Sequence, residues 1–215
     1  MTLSTAHMNK NDSPAIVNHL PKIGLEKMRT EILSGLHAEK KHISSKYFYD
    51  SAGSNLFEQI SKLEEYYPTR TEKSILSTLG KKMHLDLFNT DIIELGSGDH
   101  SKIDILLRQI PKKNISTIRY IPVDISQAAI ERAARHLITA FPLLQIHGIV
   151  ADFFHQLDLI PKQRKRLFCF FGSTIGNLTR DDAILFCANI NKNMEPGDTF
   201  LLGMDMVKDR NILFK

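Results

Sequence analysis

The sequence predicts an α/β protein: a doubly wound parallel sheet preceded by a helical extension. Three observations carry that expectation. From Asp91 onward, five short apolar runs alternate with segments of helical periodicity. The first run ends in Glu94-Leu-Gly96-Ser-Gly98, the pattern of a buried strand meeting a tight glycine turn, and a helix follows whose apolar face starts at Ile103. Before Asp91 the apolar residues recur at three- and four-residue spacing instead, so residues 1–90 read as all-helical.

Residues 1–12 are polar and read as a frayed terminus. Leu25, Met28, Ile32 and Leu36 predict an amphipathic helix. A second helix is expected from Ser54 to Glu65, after the turn-like Ser51-Ala52-Gly53. A third starts after Pro68-Thr69 and carries Ile75, Leu76 and Leu79 toward the main domain. The expected strands are 91–95, 118–123, 144–150, 166–171 and 199–204, apolar runs of the kind a parallel sheet buries on both faces. Helices are expected over 101–110, 126–140 and 180–193. Ser126 reads as the N-cap of the second of these, which carries Ala129, Ile130, Ala133, Leu137 and Ile138 along one side. Thr179, with Asp181 and Asp182 behind it, reads as the start of the third, and Pro196-Gly197 stops it. In such a βαβαβ order, ligands bind outside the C-terminal ends of the strands.

Composition narrows the class. A chain of 215 residues can bury a full core, and 42% hydrophobic with 24% charged residues is the balance of a globular protein rather than a disordered one. No apolar run approaches the roughly 18 residues of a membrane span, and the N-terminus has no signal-peptide core, so a cytoplasmic protein with no membrane partner is expected. Cys169 and Cys187 read as reduced core residues. The histidines lack zinc-ligand spacing, so no metal is expected. Lys81-Lys82, Lys112-Lys113 and the run Lys162–Arg166 read as solvated patches. Without interleaved aromatic residues to stack on bases, they do not suggest a nucleic-acid partner.

The predicted strand ends carry one suggestive group each. Val123-Asp124 places a carboxylate where it could accept hydrogen bonds from both hydroxyls of a ribose. Ala151-Asp152-Phe153 offers an acid and an aromatic face to an adenine. Gly172-Ser-Thr-Ile-Gly176-Asn177 is a polar, glycine-punctuated loop where chemistry would occur. Each residue has an ordinary structural reading as well: Asp124 and Asn177 as turn residues, Asp152 as a helix start, Phe153 as core, His100 and Lys102 as solvent-exposed. Their order on successive strand ends favours a ligand site. The third glycine of the dinucleotide fingerprint is absent, since Ser101 stands in its place, and two acids suit a nucleoside without phosphates. S-adenosylmethionine (SAM) is such a nucleoside.

Longer strings sharpen the reading. Tyr47-Phe-Tyr49-Asp50-Ser-Ala-Gly-Ser54, Leu63-Glu-Glu-Tyr66-Tyr67-Pro-Thr-Arg70, Glu94-Leu-Gly-Ser-Gly98, Pro122-Val-Asp124, Gly172-Ser-Thr-Ile-Gly-Asn-Leu178 and Leu201-Leu-Gly-Met-Asp205-Met-Val-Lys208-Asp209 resemble the histidine-specific SAM-dependent methyltransferase family, from about residue 20 to the end. The best-known member of that family makes trimethylhistidine in ergothioneine biosynthesis. The resemblance implies a class I SAM methyltransferase, Rossmann-like sheet. It divides the chain into a helical extension, 1–90, that contributes to the site and a SAM-binding core, 91–215. It implies SAM as cofactor, held by Tyr49, Gly96, Lys102, Asp124, Asp152 and Phe153. It implies a small amino-acid substrate, histidine or a relative, held by Tyr66, Gly172 and Asn177, with Tyr66 and Asn177 orienting the amine.

In that family the chain continues beyond the Val-Lys-Asp motif, completing the sheet and adding side chains that grip the imidazole. Here the sequence stops at Lys215. A fragment, a split gene or a shortened variant would each account for this. The C-terminal part of the sheet is then expected to be missing, and 166–171 or 199–204 to present an open edge prone to self-association. Two readings compete with an active N-methyltransferase: a non-catalytic SAM-binding module, and a nicotinamide-dependent oxidoreductase that the incomplete glycine fingerprint disfavours.

Overall fold

A computed structural model describes residues 14–21, 25–48, 51–83 and 87–213. Its strands are β1 (Ala15–Asn18), β2 (Thr90–Leu95), β3 (Arg119–Asp124), β4 (Gln145–Val150), β5 (Lys165–Phe170) and β6 (Thr199–Leu202). Its helices are α1 (Leu25–His37), α2 (Ser51–Ile60), α3 (Tyr67–Met83), α4 (Ser101–Leu107), α5 (Gln127–Ala140), α6 (Arg180–Asn193) and α7 (Arg210–Leu213). The strands form one parallel sheet in the order β1-β4-β3-β2-β5-β6. All five predicted strands form, within two residues of the expected limits.

The reason is visible in β2, whose six residues are all buried. Successive strand side chains point to opposite faces, so Ile92 joins the cluster with Leu76 and Leu79 of α3 and Ile103, Leu106 and Leu107 of α4. Ile93 and Leu95 join the opposite cluster, with Phe168 and Phe170 of β5 and Phe186 and Ile190 of α6. A strand covered on both faces reads as a continuous apolar run. The expected caps are in place: Ser126 Oγ accepts from the Ala129 N–H at 3.3 Å, and Thr179 Oγ1 from the Asp182 N–H at 3.2 Å.

Four expectations need correction. The first 90 residues are not all-helical, because β1 pairs in parallel with β4 over Ala15–Asn18. Its four residues are too few for periodicity to betray a strand. Ser51-Ala52-Gly53 does not precede the second helix as a turn, because α2 starts at Ser51 and ends at Ile60, while α1 forms as expected. Cys169 is buried as expected, but Cys187 is exposed on α6. Within the basic run, Arg166 is buried, because β5 alternation turns its guanidinium inward onto Asp198. Strand 165–170 lies inside the sheet between β2 and β6, and β6 is the outermost described strand on its side.

Among the described residues, no helix is long and apolar enough to cross a membrane, and no cluster of three or more His, Cys, Asp or Glu residues could hold a metal ion.

Candidate active site

Strand order reverses at β2, which has β3 on one side and β5 on the other. The crevice at such a switch point, outside the strand C-termini, is where open α/β sheets bind ligands. Gly96 opens it. Its φ of +73° lies in the left-handed region that glycine adopts freely, and its N–H donates to the Val123 carbonyl at 2.8 Å, bending the chain over the end of β3. A Cβ at Gly98 would meet nothing within 4 Å, so bare backbone faces open space there. Between them Ser97 is buried, and its Oγ has no hydrogen-bond partner among the described residues.

Asp124 ends β3. Backbone N–H groups of Ile125 and Ser126 (2.8 Å) donate to its carboxylate, yet burial outweighs them and pushes its pKa up to about 6. One strand further, Asp152 Oδ1 accepts from the Phe154 N–H at 3.0 Å, and the Asp152 N–H donates to Gln156 Oε1 at 2.9 Å. The Ala151 N–H donates to the Asp124 carbonyl at 3.0 Å, so the two acids follow adjacent, bonded strand ends. Phe153 takes the core position that was one of its two sequence readings. The residue is 9% exposed, its ring packs against Phe154, Phe170 and Phe186, and a Cβ at Gly96 would sit 3.6 Å from the ring. It forms the floor beneath the glycine turn, since an aromatic cluster on this face outcompetes solvent for the ring.

The second half of the crevice lies between α3 and the ends of β5 and β6. Tyr66, Phe57, Leu76, Phe171, Gly172 and Leu201 line a cavity of ≈ 190 Å³ there. Tyr66 meets the Phe57 ring edge to face, centroids 5.9 Å apart. Gly172 and Ser173 are both left-handed, at φ +78° and +54°. For serine that conformation is a strained one, of the kind that gathers at functional sites. Asn177 is exposed at the end of a 3₁₀ turn, Thr174–Asn177, on the same loop. Lys102, in the first turn of α4, pairs with Glu72 of α3 at 2.9 Å. The fold therefore brings Tyr66 and Gly172 to one cavity, and Gly96, Asp124 and Phe153 to one turn. Asn177 stands at the rim of its loop, and Tyr49 lies outside the described residues.

Three participants were not assigned a role from sequence. Glu72 lies two residues beyond the Tyr-Tyr-Pro-Thr-Arg string, and nothing in a linear pattern aims it at Gly172. Asp205 accepts from the Tyr67 hydroxyl and from Lys208 Nζ, and the Lys208 ammonium lies 4.6 Å from the centre of the Tyr67 ring. Those bonds, Lys208 first, hold the Asp205 carboxyl below its usual range. Both partners lie in quoted motifs, but 138 residues separate Tyr67 from Asp205.

Glu94 is the third. It is buried at the end of β2, and the Tyr120 hydroxyl donates to its Oε2 at 2.5 Å. Burial pushes its pKa up to about 8. The folded state then holds a proton that the unfolded state has released between about pH 4.5 and 8, so stability falls as pH rises across that window. Glu94→Gln is expected to melt higher than the parent at pH 8 and at a similar temperature at pH 5. Thermal unfolding at both pH values checks this, and equal differences at the two would refute it.

The site suits a nucleoside without phosphates: carboxylates line it, bare glycine backbone approaches it, and a buried hydroxyl lacks a partner. A parallel sheet with this crevice is the architecture of class I SAM-dependent methyltransferases, and the comparisons with known proteins agree with it. Residues 28–215 match the histidine-specific, SAM-dependent methyltransferase family. Over 215 residues, all of this chain, the sequence is 37% identical to the histidine N-alpha-methyltransferase of Mycolicibacterium smegmatis, covering 64% of that protein. Over 196 residues, 91% of this chain, it is 37% identical to the histidine N-alpha-methyltransferase of Mycobacterium tuberculosis, covering 61% of that protein. The chain thus spans less than two thirds of these relatives' length. The solved CurJ carbon methyltransferase is similar in fold, with a TM-score of 0.52 at 14% identity over 88% of this chain and 49% of that one. The chain belongs to the histidine-specific SAM-dependent methyltransferase family.

Proposed function

We propose that the chain carries out SAM-dependent N-methylation of the α-amine of L-histidine or a close relative. The observation that carries this reading is the shared crevice: the cavity with Tyr66 and Gly172 adjoins the glycine-loop side through the Glu72–Lys102 contact. A donor and an amine on these two sides would meet at the end of β5. The bound donor supplies a methyl group on a cationic sulfur, an already activated leaving group. The chain's own task is to align a neutral amine about 3–3.5 Å from that carbon and to exclude water.

In this reading Asp124 accepts from the ribose hydroxyls. Asp152 accepts from the adenine amino group, while Phe153 supports the turn from below. Lys102 answers the donor's carboxylate, and Tyr49 belongs to the same side by resemblance. Tyr66 and Asn177 hold the amine by hydrogen bonds, and Gly172 gives it backbone access. Each transfer leaves an ammonium that must lose a proton before the next. The division into a 1–90 extension and a 91–215 core belongs to the same proposal. So does a cytoplasmic setting, whose reducing conditions suit the free Cys169 and Cys187.

Incubating the chain with SAM and L-histidine and recording mass spectra tests the reading. Histidine carrying one to three added methyl groups is expected. Transfer to no amino acid in a panel, or SAM bound without transfer, would overturn it.

A further inference from the structure

The Glu72 carboxylate sits where four chain segments meet. The Gly172 N–H donates to its Oε1 at 2.9 Å and its Oε2 at 3.0 Å, and Oε2 is 2.9 Å from Lys102 Nζ. The Glu72 and Lys102 side chains are only 15% and 12% exposed. Two glycines leave room for the pair. A Cβ at Gly203 would lie 2.0 Å from Glu72 Oε1, with Phe171 Cα behind it, and a Cβ at Gly172 would lie 2.9 Å from Lys102 Nζ. One carboxylate from α3 thus joins α4, the loop after β5 and the segment after β6.

We propose that Glu72 is a positioning residue that neutralises Lys102 so that the site accepts a cationic methyl donor, and that couples the donor side to the amine side through the Gly172 amide. The inference rests on the function proposed above. Lys102 has three N–H groups. One engages Glu72, which leaves others for the anionic carboxylate of the donor's amino-acid end. The donor also carries a sulfonium. A lone ammonium in a partly desolvated crevice would repel that sulfonium, whereas the Glu72–Lys102 pair has no net charge. The product, S-adenosylhomocysteine (SAH), has the same shape and a neutral sulfur. Charge on the pair is therefore read out by the ratio of SAM to SAH affinity, whereas a merely structural role for Glu72 would weaken both ligands alike.

The test is calorimetric titration of SAM and SAH into the parent chain, Glu72→Gln, Lys102→Met and the double variant. Glu72→Gln keeps an acceptor for the Gly172 N–H and leaves the pair with a net positive charge. It is expected to shift the ratio about tenfold toward SAH, the scale of one unit charge acting across about 12 Å near a protein surface. Lys102→Met leaves a net negative charge and is expected to shift the ratio the opposite way, toward SAM. The double variant should return it to the parental value. Should Glu72→Gln not fold, the Lys102→Met shift alone decides the matter. Equal losses of both ligands in the single variants, or shifts of the same sign, would overturn the inference while leaving the proposed function standing. A parent chain that binds neither ligand would overturn both.

Discussion

Replacing Asp124 with alanine is expected to weaken SAM binding about 100- to 1,000-fold. Its carboxylate is 8% exposed at the end of β3 and is fixed by the Ser126 and Ile125 N–H groups, so it meets a ligand without having to be ordered first. A hydrogen bond to an ionised acceptor contributes roughly 1.5–3 kcal/mol. In the proposed role, two ribose hydroxyls left unpaired would account for about 3–4 kcal/mol, or two to three decades of affinity. The dependence on pH follows from burial. With a pKa of about 6 in the free protein, the acid is ionised at pH 7 and becomes protonated below 6. A protonated carboxyl accepts less well, so parental affinity should decline as pH falls through about 6, and Asp124→Ala should show a flatter profile. Stability should not suffer from loss of the charge. Because the folded pKa is raised, the ionised acid disfavours the fold as pH climbs above about 4. Calorimetry at pH 5, 6 and 7 measures this; a variant that binds SAM like the parent would refute the role.

Asp198→Ala should cause the largest loss of stability, about 3–5 kcal/mol, while leaving SAM affinity of the folded chain within about twofold of the parent. The side chains of Arg166 and Asp198 are 1% and 2% exposed. Asp198 Oδ2 accepts from Arg166 Nε at 2.9 Å and Nη2 at 2.5 Å, and Oδ1 accepts from the Arg166 N–H at 2.8 Å. The Glu195 N–H donates to Oδ2 at 2.8 Å, and Arg166 Nη2 donates to the Asn193 carbonyl at 2.8 Å. Nη1 is already buried without a partner among the described residues, so the guanidinium has no spare solvation to fall back on. Removing the acid strands a cation in the interior, which is the expensive way to break a buried pair. The pair lies at the start of β5 and β6, the opposite end of the sheet from the crevice, which is why binding should survive. Urea denaturation measures the loss, and a change under about 1 kcal/mol would show that the pair is not sustaining the fold.

The core and half of the site were legible in the sequence for a local reason. Ile92, Ile93, Phe168 and Phe170 repeat in short apolar runs because a parallel strand buried on both faces favours apolar side chains. Gly96 was legible because a bend over a neighbouring strand end needs a left-handed residue. Asp124 was legible because its place follows directly from that of its strand. Periodicity and turn chemistry are written over a few consecutive residues, so a linear reading recovers them.

Other features exist only once distant segments meet. Strand β1 is held by pairing with β4, more than a hundred residues away, and not by its own pattern. Phe153 is packed as it is because Phe170 and Phe186 arrive beside it. Glu72 reaches Gly172 across 100 residues, and Tyr67 reaches Asp205 across 138. The sequence by itself determined the α/β core, the glycine turn and the acids on the strand ends, because those depend on local conformation. Which charges pair, which rings are covered and which helix closes the crevice were decided by the tertiary structure, because burial and electrostatic partnership depend on distance in space.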